Sequence, residues 1–324
     1  MSHRIIFDTD SSVFNDDAAA LAMLLQRRDL VEILGITVVA GNHTVAQGSE
    51  YMLHLLELMH SEDVPLFLGT DAPLVNTPER VAQQEKQWGS ISFKGAFKSA
   101  TKTMPPFGGQ FASIRPQPID ATSFIIDSID QYPNEVTIVA VGPMTNLATA
   151  FHRRPDLPEH IKRLVFMGGN ARAPGNVTRA AEFNFWFDPE AAAAVLKSGV
   201  RNTVMFGLEI TNLAPIRKTL FDAIIKVDTP LTRLMRHDLE ILFQRDPSNT
   251  YYAWDCTTAA WLIDPSIVTM SEHLSVIVDT TFGPNYGGTM IDTNAGDGAS
   301  LEVMLSLDVE KFYEMYEDLL TRPV

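Results

Sequence analysis

The chain has 324 residues, of which 45% are hydrophobic and 20% charged, and its formal net charge at pH 7 is −15. This length and composition suit a globular chain with a large core, as one α/β domain or two smaller ones. The excess of negative charge argues against nonspecific binding to nucleic acid and against docking on an anionic membrane. We therefore expect neither as a partner.

Short apolar runs alternate with segments of helical period along the first two thirds of the chain. Strands are predicted at 4–8, 32–41, 64–69, 136–142, 163–169 and 202–207, and helices at 16–28, 47–60, 119–131, 144–154 and 188–199. Continuous apolar strands that alternate with amphipathic helices are typical of a parallel sheet covered on both faces. The predicted fold class is α/β: an open, mainly parallel, Rossmann-like sheet with helices on both faces. Ligands of such sheets bind at the carboxyl ends of the strands.

Two longer segments interrupt this alternation. Residues 70–118 are rich in Pro, Gly and Gln, and loops of this length inside a domain are commonly lids or binding loops. Residues 208–250 are predicted to be mostly helical and to cap the sheet. A β-meander is predicted at 273–304, and a closing helix at 308–320. Because no linker or internal repeat is visible, we predict a single domain over 1–324 with insertions at 70–118 and 208–250.

The N-terminus and the cysteine content indicate a compartment. The single cysteine, Cys256, excludes an internal disulfide. The first residues, MSHRIIFD, have neither the basic nor the apolar region of a secretory signal. No apolar run approaches the ~20 residues that span a bilayer. We therefore expect a cytoplasmic protein.

Four carboxylates lie close together in the opening stretch RIIFDTDSSVFNDD, residues 4–17. Asp8 and Asp10 lie at the end of the first predicted strand, and Asp16 and Asp17 open the next helix. Aspartate is favoured at a helix N-terminus, but capping accounts for only one of the four. Carboxylates this close repel one another unless a cation lies among them, and oxygen ligands favour a hard ion, Ca²⁺ or Mg²⁺. The stretch therefore predicts a divalent cation site.

An EF-hand loop that begins at Asp8 does not fit this stretch. Val13 occupies the position that requires glycine, and Ala19 the position that requires a bidentate glutamate. The segment before the loop is also a predicted strand, whereas an EF-hand needs a helix there.

The segment FDTDSSVF resembles the strand-end motif of the haloacid dehalogenase phosphatases. That interpretation makes Asp8 a nucleophile and Asp10 an acid/base, with Mg²⁺ as the cation. It leaves the pair at 16–17 unexplained, and Ser11 begins a Ser-Ser where that family has Gly-Thr. It stays open as an alternative.

The same stretch resembles the nucleoside hydrolase family, whose motif is Asp-x-Asp, a short loop, and Asp-Asp at the start of a helix. The loop here, SSVFN, is two residues longer than the usual Pro-Gly-x. Further segments resemble that family's motifs in the same order, from about residue 4 to 265: VVAGN (38–42), VAVGPMTN (139–146), FMGGN (166–170), GNVTRAAEFNFWFDPEAA (175–192) and WDCTTAAWLIDP (254–265). Each segment alone is a weak signal, whereas their joint order is specific.

The resemblance implies a nucleoside hydrolase fold and calcium-dependent hydrolysis of the N-glycosidic bond of ribonucleosides, giving a free base and ribose. The implied Ca²⁺ ligands are Asp10, Asp17, Asp255 and the backbone carbonyl of Val141. Asp16 is implied as the base that takes a proton from the attacking water. Asp8 is expected to orient these ligands from behind.

The resemblance also implies the residues that contact the substrate. The predicted contacts to the sugar and nearby atoms are Asn42, Met167, Asn176, Glu182 and Asn184. Many pyrimidine-cleaving members have a histidine where this chain has Trp254, and the purine-specific branch, which prefers inosine, adenosine and guanosine, has tryptophan there. Trp88, in the 70–118 segment, is predicted to supply the second indole of a sandwich around a purine. His237-Asp238, in a helical stretch, is interpreted as a surface pair.

Two other functions use the same ribose and calcium contacts. One is a related N-ribosyl hydrolase with another leaving group, and the longer SSVFN loop keeps this interpretation open. The other is a non-catalytic nucleoside or ribose sensor, against which the intact Asp16 argues. Since family members commonly assemble, we expect a homodimer or homotetramer.

Overall fold

A nine-stranded sheet forms the centre of the computed structural model, which describes residues 3–11, 13–98, 102–293 and 298–324. Ser12 of the SSVFN loop, 99–101 of the 70–118 segment and 294–297 of the predicted meander lie outside the described residues. The strands are β1 His3–Thr9, β2 Val31–Val38, β3 Leu66–Leu68, β4 Val136–Ala140, β5 Arg163–Met167, β6 Thr203–Phe206, β7 Pro215–Arg217, β8 Thr250–Tyr252, β9 Val268–Val278, β10 Thr289–Ile291 and β11 Ala299–Leu307.

Helices connect most of these strands. The helices are α1 Asp16–Leu25, α2 Val45–Leu58, α3 Pro78–Trp88, α4 Ala121–Gln131, α5 Thr145–Arg153, α6 Phe183–Phe187, α7 Pro189–Leu196, α8 Leu208–Thr211, α9 Lys218–Ile224, α10 Pro230–Arg245, α11 Cys256–Ile263 and α12 Val309–Thr321. Short 3₁₀ turns lie at Gly95–Lys98, Leu157–His160 and Pro265–Ile267.

The strand order explains where a site can form. The sheet runs β10-β9-β11-β6-β5-β4-β1-β2-β3, and β1 pairs in parallel with both β2 and β4. The chain builds the sheet outward from β1 to β3, then returns to β4 on the other side of β1. This reversal opens a crevice beyond the carboxyl ends of β1 and β4, where α/β sheets bind ligands.

Alternating side chains of β1 enter two separate cores. Ile5 and Phe7 are fully buried in a core with α1, α2, α10, α11 and α12. Ile6, also fully buried, belongs to the opposite core, which contains residues of α4, α5 and α7. Since strand side chains point alternately to the two faces of a sheet, helices cover both faces. The predicted fold class is therefore confirmed.

Two helix N-termini meet at the carboxyl edge of the sheet. α1 packs against α11, so the aspartates that begin α1 come next to Asp255, which directly precedes α11. Asn15, not an aspartate, caps α1: its side-chain oxygen accepts a hydrogen bond from the N–H of Ala18 at 3.4 Å. The aspartates at 16 and 17 therefore remain available for another role.

The 70–118 segment contains a helix that its overall composition conceals. α3 begins after Thr77, whose hydroxyl caps the N–H of Arg80 at 3.2 Å, and Pro78 occupies the first helical position. These residue types are favoured at these positions.

The later part of this segment is fastened to α2. Gln47 exchanges two hydrogen bonds with the backbone of Met104, at 2.7 and 2.9 Å, and Glu57 accepts a hydrogen bond from the N–H of Ile114 at 3.1 Å. The N–H of Gln117 donates to the carbonyl of Leu66 at 2.7 Å. Residues 102–118 therefore lie against α2 and, at Gln117, against β3.

The remaining segments largely follow the sequence predictions. Residues 208–250 are mainly helical, in α8, α9 and α10, and also hold β7, which pairs with β8 in a separate two-stranded sheet. The meander prediction is wrong: the region holds β9, β10 and β11, but β10 and β11 lie on opposite sides of β9, so consecutive strands are not all neighbours. β9 also begins earlier than predicted. Among the described residues, no helix is long and apolar enough to cross a membrane. The single domain stays a prediction.

Replacing Gln47 with Ala should loosen residues 102–118, because both side-chain hydrogen bonds to Met104 disappear. Each is worth about 0.5–1.5 kcal/mol, so local opening should become about tenfold more frequent. Limited proteolysis with chymotrypsin measures this as faster cleavage after Phe107 or Phe111, which are 36% and 49% exposed. Gln83→Ala, an exposed position in α3, is the control, and equal cleavage rates in both variants would contradict the fastening.

Candidate active site

Four carboxylates converge at the carboxyl edge of the sheet. Oxygen atoms of Asp16, Asp17 and Asp255 lie within 4.8 Å of one another. Asp10, just after β1, interacts directly with Asp17. All four side chains are buried, with residue exposures between 0 and 8%. The structure thus brings together three elements that are distant in sequence: the end of β1, the start of α1 and the start of α11.

Neutral donors hold these carboxylates in place. The backbone N–H of Asn42 donates to Asp10 Oδ2 at 2.7 Å, and its side-chain amide lies 3.4 Å from Asp10 Oδ1 and 3.3 Å from Asp17 Oδ2. Asp17 also accepts hydrogen bonds from the Thr9 hydroxyl at 2.5 Å and from the Asn15 amide at 2.7 Å. These donors fix the positions of the oxygens but add no positive charge.

Burial and mutual repulsion make the ionised cluster costly. Burial raises the pKa of Asp10 and of Asp255 well above the usual range, and the charges of the neighbouring aspartates raise it further. Burial, followed by the charge of Asp17, raises the pKa of Asp16 to about 7. Among the described residues, no lysine or arginine lies within salt-bridge distance of the cluster. A divalent cation would supply the missing charge.

The donor set and the surrounding backbone fit such a cation. Aspartate oxygens and a backbone carbonyl are ligands of hard ions such as Ca²⁺ and Mg²⁺. The backbone of Gly41 lies so close to the Asp10 carboxylate that a Cβ at position 41 would be 1.9 Å from Asp10 Oδ2. The carbonyl of Val141, directly after β4, faces the same region, where the side-chain amide of Asn184 donates to it at 2.9 Å. The acidic cluster can therefore hold a divalent cation.

A cavity of about 310 Å³ opens onto this cluster. Most of the residues predicted from the sequence to form the site line it: Asp16, Asn42, Val141, Met167, Asn176, Glu182, Asn184, Trp254 and Asp255. Asp10 and Asp17 do not line it, but both contact Asn42, which does. The volume suits a small polar molecule.

Glu182 combines a structural role with a position in the cavity wall. It caps the short helix α6, since its carboxylate accepts hydrogen bonds from the N–H groups of Asn184 at 2.8 Å, Gly169 at 2.9 Å and Phe185 at 3.1 Å. Burial nevertheless raises the pKa of Glu182 to about 7. Asn176 accepts from the N–H of Phe183 at 3.0 Å. These contacts hold a polar wall of the cavity in place.

The aromatic wall differs from the prediction. The Trp254 ring stacks in parallel on Tyr252, with ring centroids 5.4 Å apart, and its indole N–H donates to Asn212 at 2.8 Å. Trp88 is not brought to this cavity: it is 40% exposed, lies edge-on to Phe282 and lines a separate cavity. The described aromatic side chain from the 70–118 segment that lines the site is Phe93, 48% exposed.

Asp8 lies behind the site. It is fully buried, does not line the cavity, and accepts hydrogen bonds from the Thr37 hydroxyl at 2.6 Å and the Asn146 amide at 2.8 Å. Burial raises the pKa of Asp8 to about 7. This placement suits a residue that orients the strand ends. It argues against the phosphatase interpretation, because a buried Asp8 is not accessible as a nucleophile.

Several residues of the site are not predicted by the sequence motifs. Asn15 lines the cavity, caps α1 and contacts Asp17. An asparagine directly before an Asp-Asp that opens a helix is a recognisable capping signal. Phe93, Val177 and Phe183 also line the cavity, and no local pattern distinguishes them from ordinary apolar residues.

The fold and the site together define an α/β enzyme whose carboxylate cluster can hold a divalent cation next to Asp16, which faces a small cavity. The family model for inosine-uridine preferring nucleoside hydrolases matches residues 5–314. The chain is 31% identical, over 98% of both chains, to the non-specific ribonucleoside hydrolase RihC of Escherichia fergusonii. The chain therefore belongs to the nucleoside hydrolase family, whose members are N-glycosyl hydrolases.

Solved structures show the same fold. A plant nucleoside hydrolase, PpNRh1, superposes with a TM-score of 0.83 at 22% identity over 100% of both chains. An inosine-guanosine nucleoside hydrolase superposes with a TM-score of 0.81 at 25% identity over 98% of both chains. The family resemblance drawn from the sequence motifs is thus confirmed, and the predicted roles of individual residues stay predictions.

Replacing Gly41 with Ala should weaken cation binding, because the new Cβ would displace Asp10. Changes to residues that orient a ligand typically cost about 10–100-fold in metal affinity. Isothermal titration with Ca²⁺ measures the loss. Gly283→Ala is the matched control, since a Cβ there would meet no atom nearer than 3.7 Å. Unchanged affinity in Gly41→Ala would show that Asp10 is not a ligand.

Removing the cation should make stability depend on pH in a defined direction. Asp16 titrates near 7 in the folded protein and near 3.9 when unfolded, so the folded state binds more protons between these values. The free energy of unfolding of chelator-treated protein should therefore fall as pH rises from about 4 to 7. Added cation binds the ionised carboxylates. The rise in the protein's melting temperature on adding the cation should therefore be larger at pH 7.5 than at pH 5.5. Equal gains at both pH values would contradict a cation held by this cluster.

Proposed function

We propose that this chain hydrolyses the N-glycosidic bond of ribonucleosides with Ca²⁺ as its cation and with a preference for purine nucleosides. The observation that carries the proposal is the position of Asp16, which faces the cavity directly beside the other cluster carboxylates. A binding protein needs the sugar contacts and the cation but has no use for a base at this place. The products would be a free base, available for salvage, and ribose.

Asp16 is proposed to accept the proton of the attacking water. When bound, Ca²⁺ would lower the pKa of a nearby water molecule and add positive charge that keeps the aspartates ionised. The N-terminus of α1 favours the ionised form of Asp16 as well. Because Asp16 occupies the first position of a capped helix, its carboxylate is held against the cavity without a flexible loop.

The polar wall is proposed to bind and orient the ribose. Asn42, Asn176, Glu182 and Asn184 line the cavity that opens onto the acidic cluster. Hydrogen bonds from such fixed groups convert binding energy into positioning of the anomeric carbon. Glycosidic cleavage passes through a transition state with positive charge on the sugar, and the surrounding carboxylates would stabilise that charge.

The aromatic wall supports a purine as the leaving base. Trp254 presents a broad ring that is braced by Tyr252 and Asn212, and Phe93 lines the same cavity. Stacking on such rings adds about 0.5–1.5 kcal/mol beyond area burial. Indole has no dissociable proton near neutral pH, and among the described residues no histidine lines this cavity. Solvent is therefore proposed to protonate the departing base.

Several further properties stay predictions. We infer a cytoplasmic enzyme that works as a homodimer or homotetramer, from the single cysteine and the family's common behaviour. An N-ribosyl substrate with another leaving group would use the same sugar contacts. Failure to release ribose from either inosine or uridine would favour such a substrate.

The decisive assay measures free ribose from inosine and from uridine, without phosphate, in chelator-treated protein before and after Ca²⁺ is restored. We expect calcium-dependent release that is faster from inosine. Asp16→Asn should lower kcat by about 10²–10⁴-fold, the usual contribution of a general base. Asp71→Asn, at an exposed position, is the control. Faster release from uridine would contradict the purine preference, and no release from either would contradict nucleoside hydrolysis.

A further inference from the structure

The longer β1–α1 loop is packed into the protein through its apolar residues. Phe14 is only 2% exposed and belongs to the same core as Phe7. Val13 and Phe14 line a cavity of about 10 Å³, too small for a ligand, together with Leu55 of α2 and Leu234 of α10. The described part of the loop after Ser12 therefore rests against α2 and α10.

Asp238 of α10 makes a charged hydrogen bond to this loop. Its Oδ2 accepts the backbone N–H of Phe14 at 2.7 Å, and its Oδ1 lies 2.6 Å from Nδ1 of His237. The Asp238 side chain is 8% exposed, whereas that of His237 is 55% exposed. Hydrogen bonds to a carboxylate are about twice as strong as those between neutral groups. The His-Asp pair is therefore half buried and engaged, not a surface pair as interpreted from the sequence.

A second contact braces the same pair. The ring of Phe107 lies against the ring of His237, with centroids 4.5 Å apart. Phe107 belongs to residues 102–118, which are fastened to α2 through Gln47. Phe107 thus packs against His237, while Asp238 accepts the hydrogen bond from the loop.

The fixed backbone of Phe14 leads directly into the active site. Asn15 follows it, caps α1 and donates to Asp17 Oδ2 at 2.7 Å. Asp16 is the next residue and the first of the helix. A displacement of about 1 Å in a reacting group can cost about 10²-fold in rate. A displacement of the Phe14 backbone would therefore also shift Asp16, the proposed base, since only Asn15 lies between them.

We propose that Asp238, supported by His237, is a positioning residue that fixes the β1–α1 loop and thereby the orientation of Asp16. The inference rests on the proposed function, since it assigns a contribution to the same reaction. It identifies α10, in the helical 208–250 segment, as part of the apparatus that holds the catalytic groups in place.

The test compares variants of α10 in kcat, KM and hydrogen exchange of the peptide that covers residues 13–18. Asp238→Ala should lower kcat about 10–100-fold with KM changed less than about 3-fold, and should speed exchange in that peptide. Asp238→Asn keeps an oxygen that accepts the Phe14 N–H, so it should restore kcat to within about 3-fold of wild type. His237→Ala should fall between the two. Glu240→Ala, two residues further along α10 and without a hydrogen bond or ion pair among the described residues, is the control.

The outcomes separate this inference from the proposed function. An active wild-type enzyme whose Asp238→Ala variant keeps its kcat, or shows no faster exchange at 13–18, overturns the positioning role alone. A fall in kcat that Asp238→Asn does not restore overturns it as well, because the hydrogen-bond acceptor is then not what matters. A wild-type protein that releases no ribose from nucleosides would instead overturn the proposed function.

Discussion

The mutual repulsion of four buried carboxylates is the constraint on which the rest of this molecule depends. Asp10, Asp16, Asp17 and Asp255 lie together away from solvent, and the donors around them in the described part of the chain are neutral. Such an arrangement is unfavourable by itself, so the rest of the fold must hold it together. The cation that the cluster can hold turns this unfavourable arrangement into a site. The same four side chains therefore affect the stability of the fold and carry the proposed chemistry.

The sheet makes this arrangement possible because its strand order reverses at β1. Because β1 is flanked by β2 and β4, the backbone that follows each of these strands reaches the same crevice. Gly41 after β2, Asp10 after β1 and Val141 after β4 then approach one another without long loops. Helices α1 and α11 bring their N-termini to this edge from the same core. The polar site is thus surrounded by rigid elements on nearly every side.

Sequence reasoning located the parts of the site that lie directly next to a strand end or a helix start. Asp10, Asp16 and Asn42 are of this kind, since a local pattern of apolar run and polar stop determines where they lie. It does not predict α3, because the composition of a long segment hides one capped helix. It also placed Trp88 in the site where the structure has Phe93, since packing against Phe282 decides which way that segment faces. The contact between Asp238 and Phe14 joins distant segments, and no periodicity encodes such a pairing.

The position of α11 late in the chain has a consequence for biosynthesis. A nascent chain that has emerged only as far as β6 already carries three of the four aspartates, side by side and without their last partner. The cluster becomes complete only when Asp255 has left the ribosome and α11 has docked on α1. A chain truncated before Asp255 would lack one of the four carboxylates, so its site for a cation would be incomplete.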